Sequence, residues 1–241
     1  MYHLPQLWNN GAVGVGLRAL FWSVATIACY LLARRIHRRW PRWWLSPLAL
    51  APVLIILAAL SLKTSYAQYI HGTGWLITLL GPATVAFAVP IYERRELLRQ
   101  YWPVLGLGVL VGSSVAMLSS WLLAGMLGLD AGTRVSMLPR SMSTPFAMAV
   151  SRDLGGSPEL TAVFVVITGV LGAALGEALL LRLPLRSGLA RGALMGMGAH
   201  GVGTARAYQI GPEEGAIAGL VMVFTGVLNV LAAPLVAQLL R

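Results

Sequence analysis

Apolar residues run along this chain in long blocks, cut at intervals by short clusters of arginine, proline and glycine. A helix crossing about 30 Å of hydrocarbon needs roughly 20 mostly apolar residues. Seven segments meet or nearly meet that length: 11–33, 45–62, 73–92, 103–127, 160–181, 190–209 and 214–240. An eighth, 136–155, is apolar in part but is interrupted by Pro139, Arg140, Pro145 and Arg152. The pattern predicts an all-α polytopic membrane protein with about seven transmembrane helices plus a re-entrant or broken helical segment. The first span has no basic stretch ahead of it and no small-residue cleavage site, so it is expected to be retained.

Composition narrows the class further. The 241 residues are 57% hydrophobic and 11% charged, against about 25% charged in a soluble domain. Such a chain cannot cover a water-facing surface, which excludes a cytosolic enzyme, a secreted disulfide scaffold and a disordered chain. The net charge of +10 does not indicate nucleic acid. Its arginines sit in short clusters between apolar runs, as in the cytoplasmic loops of membrane proteins. Cys29 is the single cysteine and cannot form an intrachain disulfide.

Arginine placement predicts the topology. The loop at 34–42 holds five arginines; Arg94, Arg95 and Arg99 follow the third span, and Arg182, Arg186 and Arg191 follow the fifth. All three loops are expected in the cytoplasm, with Trp40, Trp43, Trp44, Tyr101 and Trp102 as interfacial anchors. The fourth span then ends outside near Asp130, and 160–181 must start outside to end at Arg182. Segment 136–155 therefore enters and leaves on the outer side as a re-entrant hairpin; a full crossing would instead leave three arginines outside. Non-helical backbone at membrane depth is tolerated only where protein buries it or it lines a wet cavity.

The expected organisation is a first helix with its basic loop (1–44), then a transport domain (45–241). That domain divides into a first half (45–127), the hairpin (128–159) and a second half (160–241). Spans 45–62, 73–92 and 103–127 form one triplet; 160–181, 190–209 and 214–240 form another, running the opposite way. The central members, with Thr84 and Thr204 near their middles, are both rich in glycine and small polar residues. Paired interrupted helices in inverted halves point to a transporter's binding site, and their half-helix N-termini suit an anion. Gly and Pro are also simply common in membrane helices.

Ionisable groups inside hydrocarbon are costly and mark candidate sites. Arg140 and Arg206 are the candidate carboxylate ligands, because a guanidinium grips a carboxylate through two parallel hydrogen bonds. Ser141, Thr144, Thr84 and Thr204 add hydroxyls, and Gly201 and Gly203 would let backbone amides approach. His200 would accept a hydrogen bond from a substrate hydroxyl or carry a coupling proton; Asp153 is a second coupling candidate. In plainer readings Arg206 snorkels to an interface, Arg140 is a loop charge, His200 makes a structural hydrogen bond and Asp153 pairs with Arg152 or Arg140. No zinc motif or nucleophile elbow is present, so no catalytic residue, metal or cofactor is expected.

Together, GPATVAFAVPIY (81–92), LPRSMSTPFAM (138–148), LTAVFVVITG (160–169), AHGVGTARA (199–207) and GPEEGAIAGL (211–220) resemble the LrgB/CidB family of bacterial membrane proteins. The resemblance covers roughly residues 45–240; Met142 is a mild departure. It implies a multi-pass protein of the bacterial inner or plasma membrane and two descriptions of function. One is an antiholin-like regulator of murein hydrolase export and lysis, working with an LrgA/CidA-type membrane partner. The other follows plant plastid relatives that move glycolate and glycerate, and bacterial members linked to pyruvate. A carrier or facilitator of small monocarboxylates is the expectation adopted, with the bilayer, a homo-oligomer and an LrgA/CidA-like protein as its surroundings and no nucleic acid.

Overall fold

The computed structural model describes residues 11–40, 42–86 and 88–239, and among them every regular element is helical. Two compact units divide at Ala83/Thr84.

The first unit carries helices α1 (Gly11–Arg39), α2 (Pro47–Ser61) and α3 (Tyr66–Thr78), and α4 (Leu80–Ala86) crosses its boundary. Ser46 caps α2 by accepting the Ala49 N–H, and Ser65 and Gln68 form a reciprocal capping box at the start of α3. Helices α1 and α3 meet where Gly72 presents no side chain: a Cβ there would lie 2.8 Å from the Ala19 Cα. That approach lets the Ser23 hydroxyl donate to the Gly72 carbonyl (2.9 Å) while the Trp75 indole donates to Ser23 (2.8 Å).

The second unit contains α5 (Ala88–Glu93), α6 (Arg95–Met126), α7 (Ala131–Met137), a 3-10 turn (Leu138–Ser141), α8 (Thr144–Asp153), α9 (Pro158–Arg182), α10 (Gly188–Ile210) and α11 (Pro212–Leu239). Helices α1, α6, α9 and α11 are long and apolar enough to cross a bilayer. Three of the seven expected spans take other forms. Segment 45–62 is the 15-residue α2, and 73–92 holds the end of α3 at Thr78 followed by α4 and α5, with Phe87 between these two outside the described residues.

The third, 190–209, is a correction. Its helix α10 doubles back at His200 (φ 37°, ψ −118°) instead of crossing. A Cβ on Gly203 would collide with the carbonyl oxygen of Met195, although eight residues of straight helix span about 12 Å. Met195 and Ala207 pack in one cluster with Ala218. Arg191, on the first arm, lies 3.6 Å from Glu214, while Tyr208, on the second, rests against Gly215. Both ends of α10 therefore stand beside the first turn of α11.

Packing also orders the ends of this unit. Leu97, Leu98 and Tyr101 share a cluster with Leu189 and Ala193, so the clusters Arg94–Arg99 and Arg182–Arg191 lie at one end, the cytoplasmic one by the arginine rule. Helix α11 starts at that end and runs toward the other, opposite to the direction implied by a crossing at 190–209.

Candidate functional site

The segment between α6 and α9 is a helical hairpin. Asp130 opens it by accepting the Thr133 N–H (2.9 Å) and hydroxyl (2.5 Å) at the start of α7, and these bonds hold its carboxylate below the usual range. Pro139 enters the 3-10 turn, Met142 and Ser143 are extended, and Pro145 sits in the first turn of α8, where a missing N–H costs nothing. The chain then returns. Thr161 donates to the Ser136 carbonyl (2.8 Å) and lies 2.7 Å from Ser151 Oγ, so residues on opposite arms meet on one α9 side chain. The Ser157 N–H donates to Ser136 Oγ at 2.8 Å. Gly155, at φ +82°, makes the turn into α9 that a β-carbon would oppose.

Two hairpins thus approach from opposite ends of α9. The tip of the first follows α7; the apex of the second is His200. They meet at Val165: its side chain packs with Met142, Ala147 and Val150, and its carbonyl lies 3.1 Å from His200 Nε2. Val165 is roughly 10 Å along α9 from its start and about 26 Å from its end at 1.5 Å per residue. Gly172 admits the backbone of the second hairpin, since a Cβ there would strike the Gly198 carbonyl. Helix α11 walls the pair, with the Phe146 ring on Gly226 and Met222 facing Gly201.

At the first tip, Arg140 Nε donates to Ser120 Oγ (2.7 Å), and that hydroxyl donates to the Ala116 carbonyl (2.6 Å). Arg140 forms no ion pair among the described residues. Ser143 precedes α8, is 6% exposed, and its hydroxyl has no hydrogen-bond partner among the described residues. The ten-residue α8 points the positive end of its dipole at this tip. Ser141 and Thr144 are half-buried beside it. At the second apex His200 is buried. A carbonyl only accepts, so Nε2 carries the proton it gives to Val165, and Nδ1 is left as an acceptor in the neutral ring. Thr204 donates to the His200 carbonyl (2.9 Å), capping the break. Gly201 has room, with Met222 Sδ 3.9 Å from a built Cβ, whereas Gly203 is filled by Met195.

Arg206 does not join Arg140. It is largely exposed on the second arm of α10, where its guanidinium is held by Glu177 of α9 and by Gln209. The cause is helical phase and fold-back together: six residues past the apex, the arm has returned toward the cytoplasmic end. Asp153 is exposed at the end of α8 and pairs with neither Arg152 nor Arg140. Thr84 lies on α4, and its side chain falls outside the described residues. Sequence reasoning missed Ser120, Ser143 and Val165. Only Ser143 carried a signal, as the hydroxyl between a proline-broken turn and a helix start.

Two opposed hairpins packed between long apolar helices define a multi-pass membrane protein. The chain belongs to the LrgB-like family, whose profile matches residues 26–239. It is 38% identical over 220 residues to the uncharacterized protein YwbG of Bacillus subtilis (strain 168), covering 91% of this chain and 96% of that one. It is 30% identical over 223 residues to the holin-like protein CidB of Staphylococcus aureus (strain N315), covering 92% and 97%. The holin-like protein CidB of Staphylococcus epidermidis (strain ATCC 12228 / FDA PCI 1200) is 29% identical over a similar span. No solved structure matches the chain.

Proposed function

We propose that this protein is a carrier or facilitator of small monocarboxylates, of the glycolate, glycerate or pyruvate type. One observation carries the reading: hairpins entering from opposite ends of α9 meet at Val165, which packs on Met142, Ala147 and Val150 of the first and accepts from His200 of the second. Interrupted helices meeting inside a bundle are how carriers hold a polar solute away from lipid. In this reading Arg140 grips the carboxylate, while Ser141, Ser143 and Thr144 present hydroxyls and α8 its dipole. His200 Nδ1 accepts from a substrate hydroxyl or takes a coupling proton; Asp153, at the hairpin mouth, is the other coupling candidate. Gly201 leaves space for the substrate, and Thr204 and Gly203 keep the apex in shape. Arg206 is reassigned to holding the second hairpin. Radiolabelled glycolate, glycerate and pyruvate flux into liposomes containing the purified protein tests this, with Arg140→Lys as the comparison. Flux in the wild type that is lost in the variant at equal incorporation is the expected result; no flux of any of the three, with or without a partner, overturns it.

A second reading rests on the name of the CidB relatives, holin-like. It makes this protein a regulator of export and lysis that assembles with an LrgA/CidA-type membrane protein. Changed lysis in cells carrying Arg140→Lys at wild-type abundance would tie the two readings together; unchanged lysis alongside lost flux would separate them.

A further inference from the structure

Helices α6 and α11 are joined near their middles by one polar pair. The Asn229 amide donates to Ser113 Oγ (3.0 Å) and to the Thr225 carbonyl one turn earlier (2.7 Å). Asn229 is 3% exposed and Ser113 5%. A carbonyl only accepts, so the amide nitrogen must face Thr225, and the orientation of the side chain is fixed. Both of its N–H groups are then committed. Among the described residues nothing donates to Asn229 Oδ1, and the Ser113 hydroxyl, which accepts from Asn229, donates to no acceptor. Neighbouring hydroxyls behave differently: Ser120 and Thr225 each donate to the carbonyl four residues back. A bond serving only to tie two helices together would leave neither group short, because an unmet buried donor or acceptor is costly.

The pair also stands between the two hairpins. One turn further along each helix, Met117 of α6 and Ala233 of α11 pack in the cluster that holds Val165 and Met142. One turn back on α11, Gly226 carries the Phe146 ring of the first hairpin, and Thr225 faces Met197 Sδ of the second. Ser113 and Ser120 are seven residues apart and share a face of α6, with about 10 Å of rise between them. Ser120 holds Arg140. That span matches the Arg140 guanidinium with a two- or three-carbon acid bonded to it. One unmet acceptor beside one unmet donor is the complement of a hydroxyl group, which both donates and accepts; a keto oxygen only accepts, and a methyl group does neither.

We propose that Asn229 and Ser113 form a hydroxyl-recognising subsite, which makes the carrier select hydroxy acids over keto and unsubstituted acids. The subsite rests on the carrier reading above, with the carboxylate on Arg140. The solute hydroxyl donates to Asn229 Oδ1 and accepts from Ser113.

Competition against radiolabelled glycolate uptake, in liposomes containing the full-length protein, tests it. Unlabelled glycolate is compared with acetate, and lactate with pyruvate; each pair differs at the recognised group alone. In the wild type the hydroxy acid of each pair half-inhibits at roughly tenfold lower concentration, the scale expected when a buried polar group is left unpaired. Asn229→Leu and Ser113→Ala bring both ratios toward one, and Ser113→Thr, which keeps the hydroxyl, retains them. Should Asn229→Leu fail to insert, Ser113→Ala and Ser113→Thr carry the comparison. Wild-type ratios near one, with uptake intact, overturn the subsite and leave the carrier reading standing. Wild-type selectivity that persists in Ser113→Ala and Asn229→Leu also overturns it, since the pair then holds only a water. Absence of uptake of every acid overturns the carrier reading, and the subsite with it.

Discussion

Met195 and Gly203, eight positions apart on α10, are in direct backbone contact, because the helix reverses at His200. The arms of the second hairpin pack so closely that position 203 admits no side chain. Gly203→Ala is therefore expected to destabilise the protein by about 1–3 kcal/mol or more, since a carbonyl cannot move aside as a side chain can. Gly201→Ala, one residue past the apex, is sterically tolerated. Thermal midpoints of the two purified variants check this; equal midpoints would mean that the arms do not touch.

The same reversal predicts sidedness. A straight α10 would separate residues 188 and 210 by about 33 Å and place them on opposite faces of the membrane. In the fold seen here both lie beside the start of α11, and residue 239 lies at the far end. In a Cys29→Ala background, single cysteines replacing Gly188 and Ile210 should react with an impermeant maleimide from one side. A cysteine replacing Leu239 should react from the other.

The two hairpins differed in how readable they were. Arginine counting demanded an even number of crossings between Asp130 and the start of 160–181, both outside, and Pro139 with Pro145 marked where the first hairpin breaks. The second contains no proline and has the length of a span, but it is less apolar than α1, α6, α9 and α11, a shortfall that does not by itself distinguish folding back from crossing. Its signal lay in glycine: Gly192 and Gly196 face the backbone of α11, and Gly203 faces the other arm. Glycine spacing of that kind also occurs in ordinary helix pairs. Resemblance in composition paired 190–209 with 73–92, whereas within the second unit its geometric counterpart is 131–153. The acid partner of Arg206 was likewise hidden, because Glu177 meets it only after the chain has reversed.

Arg140 owes its orientation to Ser120. The Nε–Oγ bond of 2.7 Å fixes one edge of the guanidinium and leaves the terminal nitrogens for a ligand. If the tip binds a carboxylate, Arg140→Lys should lower flux by one to two orders of magnitude, since bonds to charged groups contribute about 1.5–3 kcal/mol. Ser120→Ala should raise the half-saturating concentration while leaving the maximal rate closer to wild type. Flux kinetics in liposomes, normalised to incorporated protein, separate the two effects.

Arg206 and Glu177 form an exposed pair, and such pairs contribute about 0–1 kcal/mol. Arg206→Lys and Glu177→Gln should therefore leave both stability and carboxylate flux near wild type. Complete loss of flux in Arg206→Lys, at unchanged stability, would return this residue to the substrate path.

Asp130 gives the mouth of the first hairpin a pH dependence of definite sign. Its carboxylate, bonded to Thr133, titrates below the ordinary value of 3.8. The group thus binds a proton more readily in the unfolded chain than in the folded one. Its stabilising contribution is present above that ordinary value and disappears as pH falls through the depressed one. Asparagine caps a helix nearly as well without titrating. The wild-type thermal midpoint should fall between pH 5 and 3, and Asp130→Asn should flatten that fall while changing little at neutral pH. Parallel curves for the two proteins across that range would mean that the Asp130 carboxylate does not hold the start of α7.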